Sequence, residues 1–469
     1  MVLSVCTWAQ PTDDWSVLEQ NAKKHLINLI NIDTAHPNPN ELAAARHIYK
    51  QFNKNHIDWD IFIPRKNNAN LLARLKGTDP TQKPLLLISH LDTAPAVTGW
   101  THNPFKATVT DGKIYGLGAT DAKNYTAIYL ALLNWLKNQP QQPTRDIIFL
   151  ATSGEETGSD TGLLYLAGTY WDKINPGYAL NEGGGIIRSQ DQAPLVFAEA
   201  ATKLYMDIKI TATGEASHSA IPVNDNAVYT LSQALSKIAA YNPPAVLTPT
   251  AISFFKTILP RQNEDGQTTL KLLLNGDESQ QQAAAEVMSQ DPFFRTQLKN
   301  TLTPTELSAS TDAGVTSKQA SALINVRLLP GTDPDVFLED LTKLFEQDEN
   351  ISLEIVERPQ PPTAPAMDGN DPLFASIART AEKLFPGAVT VPGMSPASSD
   401  SEFLRKLDVI TYGLGPVMTS DQPNTAHTAD EFISEQDFYN QLRFVAGVVF
   451  DFAYGKELLP LETSSPAIL

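Results

Sequence analysis

Three short stretches carry side chains that could do chemistry together. Pro84-Leu85-Leu86-Leu87-Ile88-Ser89-His90-Leu91-Asp92-Thr93 closes an apolar run on a histidine and an aspartate. Gly116-Leu117-Gly118-Ala119-Thr120-Asp121 ends on another aspartate, and Asp146-Ile147-Ile148-Phe149-Leu150-Ala151-Thr152-Ser153-Gly154-Glu155-Glu156 delivers adjacent glutamates. Imidazole with carboxylate suits a borderline cation such as zinc, and several carboxylates can hold two ions with one carboxylate bridging. Asp92, two residues past His90 on the same strand face, is expected to hold the ring's second nitrogen and fix its tautomer. Adjacent glutamates in an extended or turn segment point different ways, so one can bind metal while the other faces substrate as a base.

Apolar runs bounded by turn residues read as buried strands, and in an open α/β sheet the working groups sit past the carboxyl ends of such strands. Leu71 to Leu75 and Pro84 to Ser89 read as paired strands, Asp146 to Ala151 as the strand that delivers the glutamates. Gly177 to Leu180 places Glu182 beyond its end, ahead of a glycine run, and Val409 to Tyr412 leads into Gly413-Leu414-Gly415-Pro416. Helical spacing predicts helices over Trp15 to Ile30, Leu42 to Lys54 and Ala122 to Lys137, the last with a buried face of Ile128, Leu132, Trp135 and Leu136. Taken alone, Asp121 is an ordinary cap for that helix. His25, His36, His47 and His56 read as plain surface or core histidines, and His102 as a loop residue. Gly116-x-Gly118 lacks the third glycine of a phosphate loop, so no nucleotide is expected.

From about Lys203 the texture changes. Leu204 to Ile210 alternates as a one-sided strand, and a helix over Ala227 to Ala240 follows. Ala320 to Leu329, Asp335 to Gln347 and Ile351 to Val356 then read as strand, helix and strand. This order predicts a small two-layer α+β domain inserted into the larger one. The piece from Pro243 to Gly314 is expected to hold loops and an extra helix. Glu357-Arg358-Pro359-Gln360-Pro361-Pro362 and the residues after it form a proline-stiffened linker.

His90-Leu91-Asp92-Thr93, Asp121 in its Gly-Leu-Gly-Ala-Thr-Asp-Ala-Lys-Asn context, Glu155-Glu156, Asn181-Glu182-Gly183-Gly184 and His427 follow one another along the chain. From about Leu18 to about Phe452 the chain resembles the di-zinc exopeptidases that include aminoacylase, carboxypeptidase S and the desuccinylases, the M20 peptidases. The resemblance implies an α/β fold with a mixed, mostly parallel sheet flanked by helices and an inserted α+β lid. It divides the chain into a catalytic domain over 1–202 and 359–469 and a lid over 203–358. It implies two zinc ions per subunit, with cobalt or manganese as substitutes, one held by His90, Asp121 and Glu182 and the other by Asp121, Glu156 and His427. Glu155 becomes the general base, and a cis peptide is expected at Asp121-Ala122.

Two lid residues gain roles by the same likeness. Gly214-Glu215-Ala216-Ser217-His218-Ser219-Ala220-Ile221-Pro222 resembles the family's oxyanion histidine motif, which often reaches the site of the other subunit and so implies a homodimer through the lid. Asn325-Val326-Arg327 resembles a carboxylate clamp, while Ser399-Asp400 and the turn at Gly415 border the substrate pocket. The implied substrate is a small peptide with a free C-terminus or an N-acyl amino acid. Desuccinylation or deacetylation of a biosynthetic intermediate, and a non-catalytic peptide-binding protein on the same fold, are the alternatives.

Composition sets outer bounds. A chain of 469 residues with 42% hydrophobic content can bury large cores and is expected to hold two or more domains. Its 53 acidic against 35 basic residues, a net charge of −18, argue against nucleic acid and anionic membrane surfaces as partners. No apolar run approaches the roughly 20 residues that span a bilayer. Cys6 is the single cysteine, so no internal disulfide is expected. Residues 1–9 form a poor signal peptide as written, or the tail of one, which leaves the compartment open between cytoplasm and periplasm or secretion.

Overall fold

A computed structural model describes residues 15–188, 192–309, 313–359, 365–418 and 424–455. Cys6, the leader question and the centre of the proline linker lie outside the described residues. The chain forms two compact units, one of Met1–Ala198, Asn370–Thr390 and Val409–Leu469, the other of Glu199–Gly369 and Val391–Asp408. No helix among the described residues is long and apolar enough to cross a membrane.

The main sheet is built around two strands, Leu85–His90 and Ile147–Thr152, whose every residue is buried. Such unbroken apolar runs fit strands covered on both faces, as in parallel sheets flanked by helices. Leu85–His90 pairs in parallel with Ile147–Thr152 on one side and with Tyr178–Asn181 on the other, and Ile410–Gly413 continues the parallel set. Antiparallel strands border it, Asn70–Leu75 with Trp59–Phe62 on one side and Gly185–Ile187 with Leu195–Thr202 on the other. The pairing expected between the first two apolar runs is not made: Ile147–Thr152 lies between them, antiparallel to one and parallel to the other. Sequence neighbours were separated because the crossover through the helix Lys123–Lys137 inserts a strand between them.

That helix is buried on nearly all sides, not on one face, and Trp135 is among its less buried residues. It packs on the helix Trp15–Ile30 and on the sheet at once. Because the central strands run in parallel, His90, Thr152 and Asn181 all end at the same edge. The loops beyond them are therefore brought together by topology alone.

The second unit holds a four-stranded antiparallel sheet in the order Thr301–Ser308, Gln319–Leu328, Leu204–Thr213, Ile351–Glu357. Along Gln319–Leu328 burial alternates residue by residue, which puts Ile324 and Val326 with Met206, Ile208 and Ile210 against the helices Ala227–Ala240 and Pro334–Thr342. The stretch expected to hold loops and an extra helix forms four helices: Pro249–Ile258, Glu264–Asn275, Glu278–Met288 and Pro292–Leu298. Thr248, Asn263, Asp277 and Asp291 cap these helices, each accepting a backbone N–H. The same stretch supplies the edge strand Thr301–Ser308.

Candidate metal centre and active site

The centre is organised by Asp121, whose two oxygens face two different imidazoles. Oδ1 lies 3.1 Å from Nε2 of His90, and Oδ2 lies 3.1 Å from Nε2 of His427. Glu182 Oε2 stands 3.3 Å from the same His90 nitrogen, and Glu156 Oε2 stands 3.3 Å from the same His427 nitrogen. Asp121 does not cap the helix that follows. Ala122 occupies the cap position with no side-chain cap bond, and the Asp121-Ala122 peptide is cis as expected.

Each donor is placed by a strand end or a tight turn. His90 is the last residue of its strand, and Asn181 ends the strand just ahead of Glu182. Gly154 leaves its strand at φ +67 and turns the chain into a short 3-10 segment that carries Glu155 and Glu156. A Cβ at Gly154 would lie 2.3 Å from Thr161 Oγ1, so glycine is needed twice over there. Glu155 offers an oxygen within 4.8 Å of both His90 and Glu182. His427 itself sits at φ +59, with its side chain about half exposed.

Asp92 does not orient His90 in the way its position suggests. His90 Nδ1 is 2.9 Å from the backbone carbonyl of Asp92, whereas the carboxylate stands 3.6 Å away. The side chain has turned to other work: it accepts the N–H groups of Glu155 and Glu156 at 3.1 Å each and faces Nε2 of His36 at 2.9 Å. Although it is fully buried, the hydrogen bonds and charges of His36 and His90 outweigh the desolvation penalty and hold its pKa below the usual carboxylate range.

Two more buried carboxylates brace the loops. Glu41 accepts the Gly154 N–H at 3.0 Å and Nδ2 of Asn68 at 2.8 Å. Glu431 accepts the N–H groups of Gly118 and Thr120 at 2.9 and 2.7 Å, directly ahead of Asp121. Burial pushes each of them up to about 7. Lys123, also buried, reaches the carbonyl of Ile32 at 3.0 Å. His36 was expected to be a plain surface or core histidine, and Glu41 and Glu431 were not singled out in the sequence. Glu431 lies four residues past His427, and adjacency to that motif was its only signal.

The donor set fits divalent cations. Ligands at 2.0–2.1 Å around a tetrahedral zinc stand about 3.3 Å from one another, and the imidazole–carboxylate separations here are 3.1 to 3.3 Å. Carboxylates outnumber imidazoles, and burial with neighbouring acidic groups pushes Glu182 up to about 7. Without a cation the balance falls on the imidazoles: Asp121 and Glu156 hold His427 up at about 10.

The remaining site candidates are distributed over the two units. Gly415 lies in the first, where an added Cβ would come 2.4 Å from the Gly184 carbonyl oxygen. His218 lies in the second, accepting the Ala220 N–H at Nδ1 in a loop that bridges to Val315. Arg327 stacks over the Tyr205 ring at 4.7 Å and donates to Asn325 and to Ser398. Asn325 in turn donates to Asp207, so the guanidinium is held in a fixed chain of hydrogen bonds. His102, read as a loop residue, stacks on Tyr115 beside Asp430.

Imidazoles and carboxylates gathered past the ends of parallel strands, with a separate α+β unit in the chain, define a metallopeptidase-like hydrolase. The chain belongs to the peptidase family M20/M25/M40, whose family model matches residues 86–451. It is similar to the human N-fatty-acyl-amino acid synthase/hydrolase PM20D1, 24% identical over 80% of this chain and 75% of that protein. It is 28% identical to a probable succinyl-diaminopimelate desuccinylase of Staphylococcus aureus (strain MSSA476), over 88% of this chain and 93% of that one. In fold it matches the M20 metallo-carboxypeptidase Sso-CP2 of Sulfolobus solfataricus at a TM-score of 0.68 and 16% identity, covering 91% and 98% of the two chains. A Bacillus subtilis member of the same fold is a dinuclear metal-binding peptidase, at a TM-score of 0.58 and 12% identity over 92% and 98% of the chains.

Proposed function

We propose that this hydrolase cleaves an amide bond adjacent to a free carboxylate, as a carboxypeptidase or an N-acyl amino acid amidohydrolase. The observation that carries the reading is the division of Asp121 between His90 and His427, each imidazole backed by its own glutamate. His90, Asp121 and Glu182 would hold one divalent ion, and Asp121, Glu156 and His427 the other, with zinc best suited to the donor set. Such a pair, when bound, supplies Lewis acidity and makes water a competent nucleophile near neutral pH.

The chain's own residues divide the remaining work. Glu155, near His90 and Glu182 but outside the shared Asp121 contacts, takes a proton from the attacking water and delivers it to the leaving amine. Asp92 fixes the backbone from which Glu155 and Glu156 project. We assign stabilisation of the developing oxyanion to His218 and capture of the substrate carboxylate to Arg327, with Asn325 keeping the fork in plane. Gly415 lets its turn pack directly against the Gly184 carbonyl, and we assign that turn to the border of the substrate pocket. The similarity to a desuccinylase, which extends over 93% of that chain, favours one second reading: hydrolysis of an N-succinyl group.

Zinc-loaded protein offered dipeptides, fatty-acyl amino acids, acetyl amino acids and N-succinyl amino acids in parallel tests both readings. Cleavage confined to substrates with a carboxylate beside the scissile amide supports the proposal. Equal turnover of carboxyl-amidated versions removes it.

A further inference from the structure

A second hollow lies at the far ends of the helices that lead into the centre. A cavity of about 390 Å³ opens among the helices Trp15–Ile30, Glu41–Lys54 and Lys123–Lys137. Its volume falls within the roughly 300–1,000 Å³ of small-molecule sites. The last two helices begin at Glu41, which braces Gly154, and just after Asp121, whereas the hollow takes Gln51, Lys54, Asn134 and Asn138 from their other ends. At 1.5 Å per residue the two places are about 20 Å apart along the helix axis.

The lining is basic and amide-rich. Lys24, Lys54, His25 and His47 face the hollow, and no carboxylate does, although the whole chain carries a net charge of −18. Neither lysine has an ion-pair partner among the described residues. Nδ1 of His25 lies 3.2 Å from Nε2 of His47, with the rings edge to face. Burial first, then the charges of the surrounding lysines, keeps both imidazoles in the neutral form, His25 down at about 3. The amides of Asn21 and Asn28 make no hydrogen bond among the described residues, while Asn55 and Asn134 are tied to each other at 2.9 Å. Trp135 supplies an aromatic wall.

Two ammonium-bearing side chains lining one hollow with no carboxylate beside them leave positive charge that a negative occupant would balance. The free amides add donors for its remaining oxygens, and charge-assisted bonds of this kind are the strong ones. We propose that this hollow is a binding site for a small polar anion bearing carboxylate or tetrahedral oxyanion groups, held by Lys24 and Lys54 with Asn21 and Asn28 at its edge. Its lining shares no residue with the metal centre and does not include Arg327.

Labelled sulfate and labelled succinate, titrated separately by equilibrium dialysis into the metal-loaded enzyme at ionic strength fixed with sodium chloride, read the site directly. Because either probe can also meet the metal centre or Arg327, the comparison is with the double variant Lys24→Gln/Lys54→Gln, both exposed positions whose replacement leaves the fold intact. Wild type should show a saturable site that this variant binds at least about tenfold more weakly, the loss expected when charge-assisted bonds are removed. Asn28→Asp, which adds a competing carboxylate, should weaken it likewise, while Lys50→Gln, outside the lining, should not. Preference for sulfate or for succinate distinguishes the two anion chemistries. Identical isotherms in wild type and the double variant for both probes, or no saturable site in wild type, overturn the proposal.

Discussion

His36 Nε2 lies 2.9 Å from Oδ2 of Asp92, a carboxylate that also takes the backbone N–H groups of both Glu155 and Glu156. The histidine therefore acts on the glutamate pair without touching it. The Asp92 hydrogen bond raises the imidazole's pKa against the opposing effect of its own burial, so the contact gains a charge-assisted character. Partners of this kind are worth about 10–100-fold in activity or metal affinity. His36→Phe should lower kcat by that order with zinc content unchanged, and His36→Gln, which restores a donor, should recover part of it. Wild-type kcat in His36→Phe would remove His36 as a positioning residue.

A second prediction concerns stoichiometry. If Asp121 is shared, its loss should empty both positions, whereas loss of His427 should empty one. Elemental analysis after dialysis should therefore find close to no zinc in Asp121→Ala and about one ion per chain in His427→Ala, against about two in wild type. Equal zinc content in the two variants contradicts the sharing.

Much of this site was legible because parallel topology makes it so. A buried strand ending in His90, and another leading to Glu155 and Glu156, must deliver their next residues to one edge of the sheet, and the run patterns alone marked both strands. What stayed hidden was tertiary. That Ile147–Thr152 would slip between the two earlier strands depends on the crossover, not on local pattern. The turn of Asp92 away from His90 depends on where the 3-10 segment offers its N–H groups. Glu41 and Glu431 carried no signal of these bonds, since nothing in a single sequence reports that a glutamate meets buried amides. Between Pro249 and Leu298 one extra helix was expected where four form, because the Gln, Asn and Thr content masks the capping residues that start each one.

For the base, Glu155→Gln keeps shape and removes proton affinity. General base catalysis contributes on the order of 10²–10⁴-fold, and hydrolysis should fall by at least that factor with both metal equivalents retained. The measurement is turnover together with zinc content. Normal turnover eliminates Glu155 from proton transfer.

His218 carries a prediction that separates chemistry from architecture. Beside the one bond that the imidazole accepts from Ala220, its loop is held by the backbone bonds of Ser219 N–H to the Gly314 carbonyl and of Thr316 N–H to the Ser217 carbonyl. His218→Ala should therefore leave thermal stability and zinc content in place while lowering kcat by about 10²–10³-fold, the scale of a lost oxyanion donor. A variant that loses zinc, or keeps full turnover, contradicts the assignment.

The last prediction turns on Glu402 in the second unit. Burial pushes its carboxyl up to about 8, despite the Thr202 hydroxyl at 3.2 Å and the guanidinium of Arg405, and the neighbouring Glu199 adds to the rise. Folded protein thus keeps this proton up to about pH 8, while the unfolded chain releases it near its ordinary value of 4.5. Between those values the native state binds more protons, so this group's contribution to stability is fully present below about 4.5 and is lost as pH rises through 8. The slope from one such proton is at most about 1.4 kcal/mol per pH unit. Glu402→Gln keeps the acceptor for Thr202 and cannot ionise. Urea unfolding of the two proteins at pH 5, 6.5 and 8, values taken from about the window set by that shift, should show Glu402→Gln gaining on wild type as pH rises. A stability difference that does not change with pH, or that moves in favour of wild type toward alkaline pH, would mean that Glu402 is ionised in the folded protein and that Arg405 outweighs its burial.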